Sequence, residues 1–166
     1  QDLRAEHGFD NRGDHLSMSP FLMEGFLKLS RSIMLSENFN RKNCQLWPNL
    51  FEEPKDKSLL DEMIHKRLGQ FITRAFRRPV DQKTLVRYCS HTTQLIASGK
   101  SYQDAMKETV SAVLASPRFL YLYDTNLESK RTNKVNDYEL ASRLSFFLWG
   151  SIPDDILINQ ARENNL

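Results

Sequence analysis

Two cysteines, six glycines and six prolines in 166 residues are low counts, and each narrows what the chain can be. Two thiols exclude a dense disulfide scaffold and any four-cysteine zinc site, and Cys44 and Cys89 can form one bridge at most. Neither lies in a Cys-x-x-Cys-His run, so the chain carries no covalent c-type haem attachment motif. The scattered glycines build no phosphate-cradling loop, no dinucleotide fingerprint and no Gly-x-Ser-x-Gly nucleophile elbow. The longest apolar run, Phe119 to Tyr123, falls far short of the roughly 20 residues of a membrane-spanning helix. Twenty-three basic against 21 acidic residues leave a net charge of only +2, so bulk electrostatics demands neither nucleic acid nor an anionic surface. Gln1 opens the chain and no basic-then-apolar leader follows; a signal peptide is either absent or lies upstream.

What is present is helical patterning, which sets the fold class as all-α with about six helices. Ser19-Pro20 supplies a cap and a first-turn proline, after which Leu22, Met23, Phe26, Leu29 and Ile33 form one face of a helix over about 20–36. Residues 37–57, rich in asparagine, read as a linker pinned to a core by Leu46, Trp47, Leu50 and Phe51. The strongest stripe joins Leu59, Leu60, Met63, Ile64, Leu68, Phe71, Ile72, Ala75 and Phe76 on a helix of about 58–77 that Pro79 ends. Asp81 then caps a helix burying Leu85, Val86, Cys89, Leu95 and Ile96, closed by Gly99. Ser101 with Asp104 opens the next, with Ala105, Met106, Thr109, Val110, Val113 and Leu114 inward, until Ser116-Pro117. Residues 119–123 fit either an extended segment or a turn of helix, and Lys130 to Asn136 reads as a polar loop. Asn136 and Glu139 open a helix with Tyr138, Leu140, Ala141, Leu144, Phe147, Leu148 and Trp149, apolar most of the way round. Gly150 ends it, and Ser151 with Asp154 opens a last one with Ile156, Leu157 and Ala161 inward.

Candidate chemistry is sparse. Lys66, Arg67, Arg74, Arg77, Arg78 and Lys83 form the densest basic stretch, but Arg74, Arg77 and Arg78 fall at a helix end, where cations complement the dipole, and no aromatic ladder accompanies them. Helix-end and interdomain pairing outweighs phosphate binding. The run Asp10 to Asp14 resembles a calcium loop, yet Arg12 occupies its middle position, and a turn explains it better. His7, His15, His65 and His91 show no paired ligand spacing and read as surface or core-edge residues. Asp154 and Asp155 are adjacent, so they do not face each other and serve a helix start rather than a catalytic pair. Arg118, Glu139 and Arg143 sit among Phe, Leu, Trp and Tyr, and buried charge persists only when paired, so they predict an internal ion-pair network. The sharper alternative gives the same arginines an anionic or sugar ligand.

Four ordered motifs resemble a known family: Phe71-Ile-Thr-Arg-Ala-Phe-Arg-Arg-Pro79, Ser116-Pro-Arg-Phe-Leu-Tyr121, Glu139-Leu-Ala-Ser-Arg-Leu-Ser-Phe-Phe-Leu-Trp149 and Pro153-Asp-Asp155. They are similar to the helical domains of planctomycete-type cytochrome-c-associated multidomain proteins, and Gly8-Phe-Asp-Asn11 with Leu16-Ser-Met-Ser-Pro20 resembles the end of the first such domain. The resemblance implies four units: the end of a first domain over 1–36, the linker 37–57, a short domain over 58–100, and over 101–166 the start of a third that continues beyond Leu166. It implies an extracytoplasmic setting, other domains of the same polypeptide as partners, a c-type cytochrome domain among them, and haem c only on that separate domain. No catalytic residue is carried over from the family. A module without a redox role, structural or ligand-binding, is the competing reading. Specific nucleic-acid binding is the weakest, and its test is a titration at physiological salt: only weak, sequence-independent binding is expected, whereas tight, sequence-dependent binding would show that Arg74, Arg77 and Arg78 form a phosphate track.

Overall fold

The computed structural model describes residues 20–121 and 135–166. The expectations for His7, His15, Asp10 to Asp14, the Ser19 cap, residues 122–123 and Lys130 to Lys134 concern positions outside them. Among the described residues the chain is all-α, with no strand. Six longer helices correspond to the six expected: α1 (Pro20–Leu35), α3 (Leu60–Phe76), α4 (Gln82–Ala97), α5 (Tyr102–Leu114), α7 (Asp137–Trp149) and α8 (Asp155–Arg162). Two four-residue helices join them, α2 (Trp47–Leu50) and α6 (Pro117–Leu120), and a 3-10 turn over Lys57–Leu59 leads into α3.

Helices α3, α4 and α5 form the centre, with α1 laid along α5. Ile64, Leu68 and Ile72 of α3 meet Met106, Val110 and Val113 of α5, all fully buried. The linker does more than connect: Trp47, Leu50 and Phe51 are buried, and Phe39, Trp47 and Phe51 pack as an aromatic triplet with ring centroids 5.3 to 5.8 Å apart. Leu46, expected beside them, is exposed.

Small polar residues decide which faces turn inward. On α4 the buried positions are Thr84, Leu85, Tyr88 and Thr92, whereas Val86 is exposed and Cys89, Leu95 and Ile96 are half-buried, a rotation from the expected face. The threonines can be buried because their hydroxyls are satisfied: Thr92 and Thr109 share a hydrogen bond of 2.7 Å across the α4–α5 contact. On α1 the inward side is Met23, Phe26, Leu27, Ser30 and Met34, with the Ser30 hydroxyl donating to the Ser111 carbonyl of α5 at 3.0 Å. Leu22, Leu29 and Ile33, expected inward, are exposed.

Three ends differ from expectation. Helix α3 stops at Phe76, and Arg77 turns left-handed (φ 59°), so Pro79 follows the end rather than causing it. The segment after Ser116 begins as α6 and leaves it extended at Tyr121. Asp154 caps α8 by accepting from the Leu157 N–H at 2.8 Å, and Ile158 and Ala161 are its buried residues while Ile156 is exposed. Gly150, at φ 60°, supplies the left-handed turn that lets α8 fold back on α7. Within that hairpin α7 buries Glu139, Ala141, Ser142 and Ser145, and presents Phe147, Leu148 and Trp149 to solvent.

Phe76 is 4% exposed and Phe71 only half-buried, so the two should not be equivalent. Phe76→Ala is expected to cost about 3–5 kcal/mol and Phe71→Ala clearly less. Thermal melts of both variants check the order, and equal small losses would mean that this face of α3 is not core.

Candidate functional site

The side chains singled out in the sequence gather mainly where the α3–α4 corner meets α6. Arg77, only 5% exposed, directs its guanidinium at main-chain carbonyls: Nη1 donates to Phe119 at 2.9 Å and to Ala75 at 3.3 Å, and Nη2 donates to Tyr121 at 2.9 Å and Arg118 at 3.1 Å. The last carbonyls of a helix have no partner within it, so one planar fork satisfies the C-terminus of α6 from outside. Arg77 also lies 6.0 Å from the ring centroid of Phe146 on α7.

Arg118 crosses back over the same corner. Its Nη1 donates to Asp81 Oδ2 at 2.9 Å and to the Thr84 hydroxyl at 3.3 Å, and its guanidinium carbon lies 5.9 Å from the Phe76 ring centroid. Asp81 meanwhile caps α4, accepting from the Thr84 N–H and hydroxyl at 2.8 Å each. The Arg118 hydrogen bond, followed by those from Thr84, holds the Asp81 carboxyl well below the usual carboxylate range.

Glu139 and Arg143 form a separate pair one helical turn apart on α7, Arg143 Nη2 donating to Glu139 Oε1. Arg118 therefore engages Asp81, while Glu139 and Arg143 engage each other, so the three do not close into a single network. Glu139 is 4% exposed and its second oxygen, Oε2, is buried without a hydrogen-bond partner. Arg74 is exposed on the last turn of α3, and Arg78 is half-buried just beyond it. The rest of the basic stretch is dispersed: Lys66 and Lys83 are exposed, and Arg67 points to the linker, donating to the Glu52 carbonyl and to the Tyr102 hydroxyl.

Elsewhere an open depression of about 360 Å³ lies between the linker and α3, lined by Pro48, Glu53, Pro54, Leu59, Met63 and Arg67. Both cysteines are free, and burial, aided by Asp61, pushes the Cys89 thiol up, which keeps it in the unreactive protonated form. His65 and His91 are exposed. Among the described residues no group of three or more His, Cys, Asp or Glu is placed to hold a metal ion, and no helix is long and apolar enough to cross a membrane.

Sequence reasoning missed the double duty of Asp81, which is cap and counter-ion at once, and the carbonyl targets of Arg77. A capping aspartate followed by threonine at the third position was visible; that an arginine 37 residues later would reach it was not.

Three family models match the chain. Residues 1–36 match PSD3, residues 64–124 match PSD5 and residues 135–166 match PSD4, described as proteins of unknown function DUF1587, DUF1595 and DUF1592 in that order. Three segments of the chain are thus similar to three domain families of unknown function. The PSD5 match runs from Ile64 in α3 past α6 and contains the whole Arg77–Arg118–Asp81 cluster, and the PSD4 match contains α7 and α8. No curated protein and no solved structure gives a significant match.

The Asp81 cluster makes a pH prediction. A carboxyl whose pKa is depressed by folding stabilises the fold above its unfolded value of about 4, and that contribution is lost as pH falls through the folded value. Glu108, lowered chiefly by its hydrogen bond from Lys100, and Asp56, lowered by Ser58, act in the same direction. Stability should therefore decline below about pH 4. Asp81→Asn keeps a capping oxygen and loses the charge, so denaturant midpoints should separate from wild type at neutral pH and converge in acid. A constant gap at all pH values would deny the ion pair its role.

Proposed function

We propose that the chain is a non-catalytic helical module of an extracytoplasmic, cytochrome-c-associated multidomain protein of the planctomycete type. The observation that carries this reading is the succession of three uncharacterised domain families along one chain, in the order PSD3, PSD5, PSD4, which agrees with the motif resemblance over the same stretches. Haem c belongs, on this reading, to a separate domain of the same polypeptide, and the helical segments act as its structural partners. The motifs set off residues 1–36 as the end of a first domain and 37–57 as a linker, and the segment matched by PSD5, residues 64–124, packs α3 to α6 around one core.

The geometry supports a structural role for the conspicuous arginines. Arg77 is engaged by carbonyls of its own chain and Arg118 by Asp81, so neither guanidinium is presented to a ligand as a bare fork. An anionic or carbohydrate site built on them finds less support for that reason. The test uses the native full-length protein, recovered from its own cells with an antibody raised against this chain. A haem-staining band much larger than 19.4 kDa in the extracytoplasmic fraction is expected. A haem-free protein, or one confined to the cytoplasm, overturns the proposal.

A further inference from the structure

Arg77 stands at a place where three parts of the described chain meet. Its backbone is the left-handed turn that ends α3, one edge of its guanidinium holds carbonyls at the end of α6, and it lies within reach of Phe146 on α7. The first two parts lie in the segment matched by PSD5 and the third in the segment matched by PSD4. A guanidinium can do this because it is flat: its N–H groups donate within the plane, and its faces stay free for an aromatic ring. A lysine at the same place has neither a fork for several carbonyls nor a face.

The anchor on the α3 side is stiff. A non-glycine residue in the left-handed region is strained and persists only where its surroundings over-determine it. At Arg77 the N–H groups of residues 77 and 78 close the helix end on the Arg74 and Thr73 carbonyls, at 3.2 Å each, and the side chain is buried. The guanidinium is thus presented from a fixed backbone. Phe146, by contrast, is 37% exposed and neighbours Phe147, Leu148 and Trp149, which open to solvent.

We infer that Arg77 is the joint that orients the α7–α8 hairpin against the α3–α6 core, its guanidinium bracing the carbonyls at the end of α6 while its carbon lies over the Phe146 ring, 6.0 Å from the centroid. Through Phe146 it sets the direction in which the exposed apolar end of α7 is displayed. This inference is independent of the redox reading, since it concerns two segments of one chain and needs no haem.

The test measures the distance between the two units. In the full chain with Cys44→Ala and Cys89→Ala, spin labels are placed at Gln94→Cys on α4 and Gln160→Cys on α8, both exposed positions. The labelled background should give one narrow distance. Arg77→Lys and Phe146→Leu should each lose it and give a broad distribution, while Arg74→Lys, on the exposed side of the same helix, should keep it. Phe146→Leu alters only a partly exposed ring outside the central core, so its thermal transition should match the background, and it decides the matter if Arg77→Lys fails to fold. A broad distribution in the background, or a narrow one surviving Phe146→Leu, overturns the inference.

Discussion

A chain of short helices must satisfy many helix ends, and the burial of Arg77 is the constraint on which the rest of this arrangement depends. Each helix leaves up to four carbonyls without an internal partner, and α6, four residues long, has little else to offer. By carrying its donors to Arg118, Phe119 and Tyr121, Arg77 ties the exit of α6 to the exit of α3 across more than 40 residues of chain. Arg118 then ties the start of α6 to the start of α4 through Asp81. Charge-assisted hydrogen bonds are the strong ones, and here they fix where the main chain goes rather than supply chemistry.

The helix contacts follow a second rule, that close approach is made by small hydroxyl residues whose polar atoms are already satisfied. Ser30 against the Ser111 carbonyl joins α1 to α5, and Thr92 against Thr109 joins α4 to α5. On α7 the buried Ser142 and Ser145 donate to carbonyls of their own helix, Tyr138 and Ser142. A buried hydroxyl with a partner costs little, whereas an unmade bond costs about 1–3 kcal/mol. Among the described residues Glu139 Oε2 is the exception, and it lies in the hairpin, where the large apolar residues are outside. Choosing small polar residues for the contact has a consequence for α1 and α7. Some of their larger apolar side chains are left on the other face, Leu29 and Ile33 on α1 and Phe147 and Trp149 on α7, while Met23, Phe26, Leu27 and Met34 of α1 stay on the inward side.

That choice explains what could be read from the sequence. Helix number and position were legible because capping residues are local: Asp81, Ser101, Asn136 and Asp154 each accept the main-chain N–H three positions on. The α3 stripe was legible because one helix face carries every fully buried residue from Ile64 to Ile72. The inward faces of α1, α4 and α7 were not, since hydrophobic periodicity ranks Val86 above Thr84 and Phe147 above Ser145, and only the partner across the contact reverses the order. For the candidate site, the types of residue were legible and their partners were not. An arginine set among apolar residues implies acceptors, but nothing local says whether it lies exposed on a carboxylate, as Arg118 does, or buried on carbonyls, as Arg77 does.

The distribution of open apolar surface also follows the matched segments. In the stretch matched by PSD5, α3 to α6 enclose a continuous core in which Ile64, Leu68, Ile72, Met106, Val110 and Val113 are all fully buried. In the stretches matched by PSD3 and PSD4, the described helices α1, α7 and α8 each turn large apolar residues outward: Phe21, Leu29 and Ile33, then Phe147 and Trp149, then Ile156. Single exposed apolar residues are ordinary, but several on one helix mark a surface with more burial to gain. Two helices in a hairpin cannot cover both faces of α7, because α8 contributes only Ile158 and Ala161 to the buried side. The middle segment therefore has the internal packing to fold around its own core. The flanking helices depend on what they are set against, which makes the orientation imposed at Arg77 the feature that determines what α7 can meet.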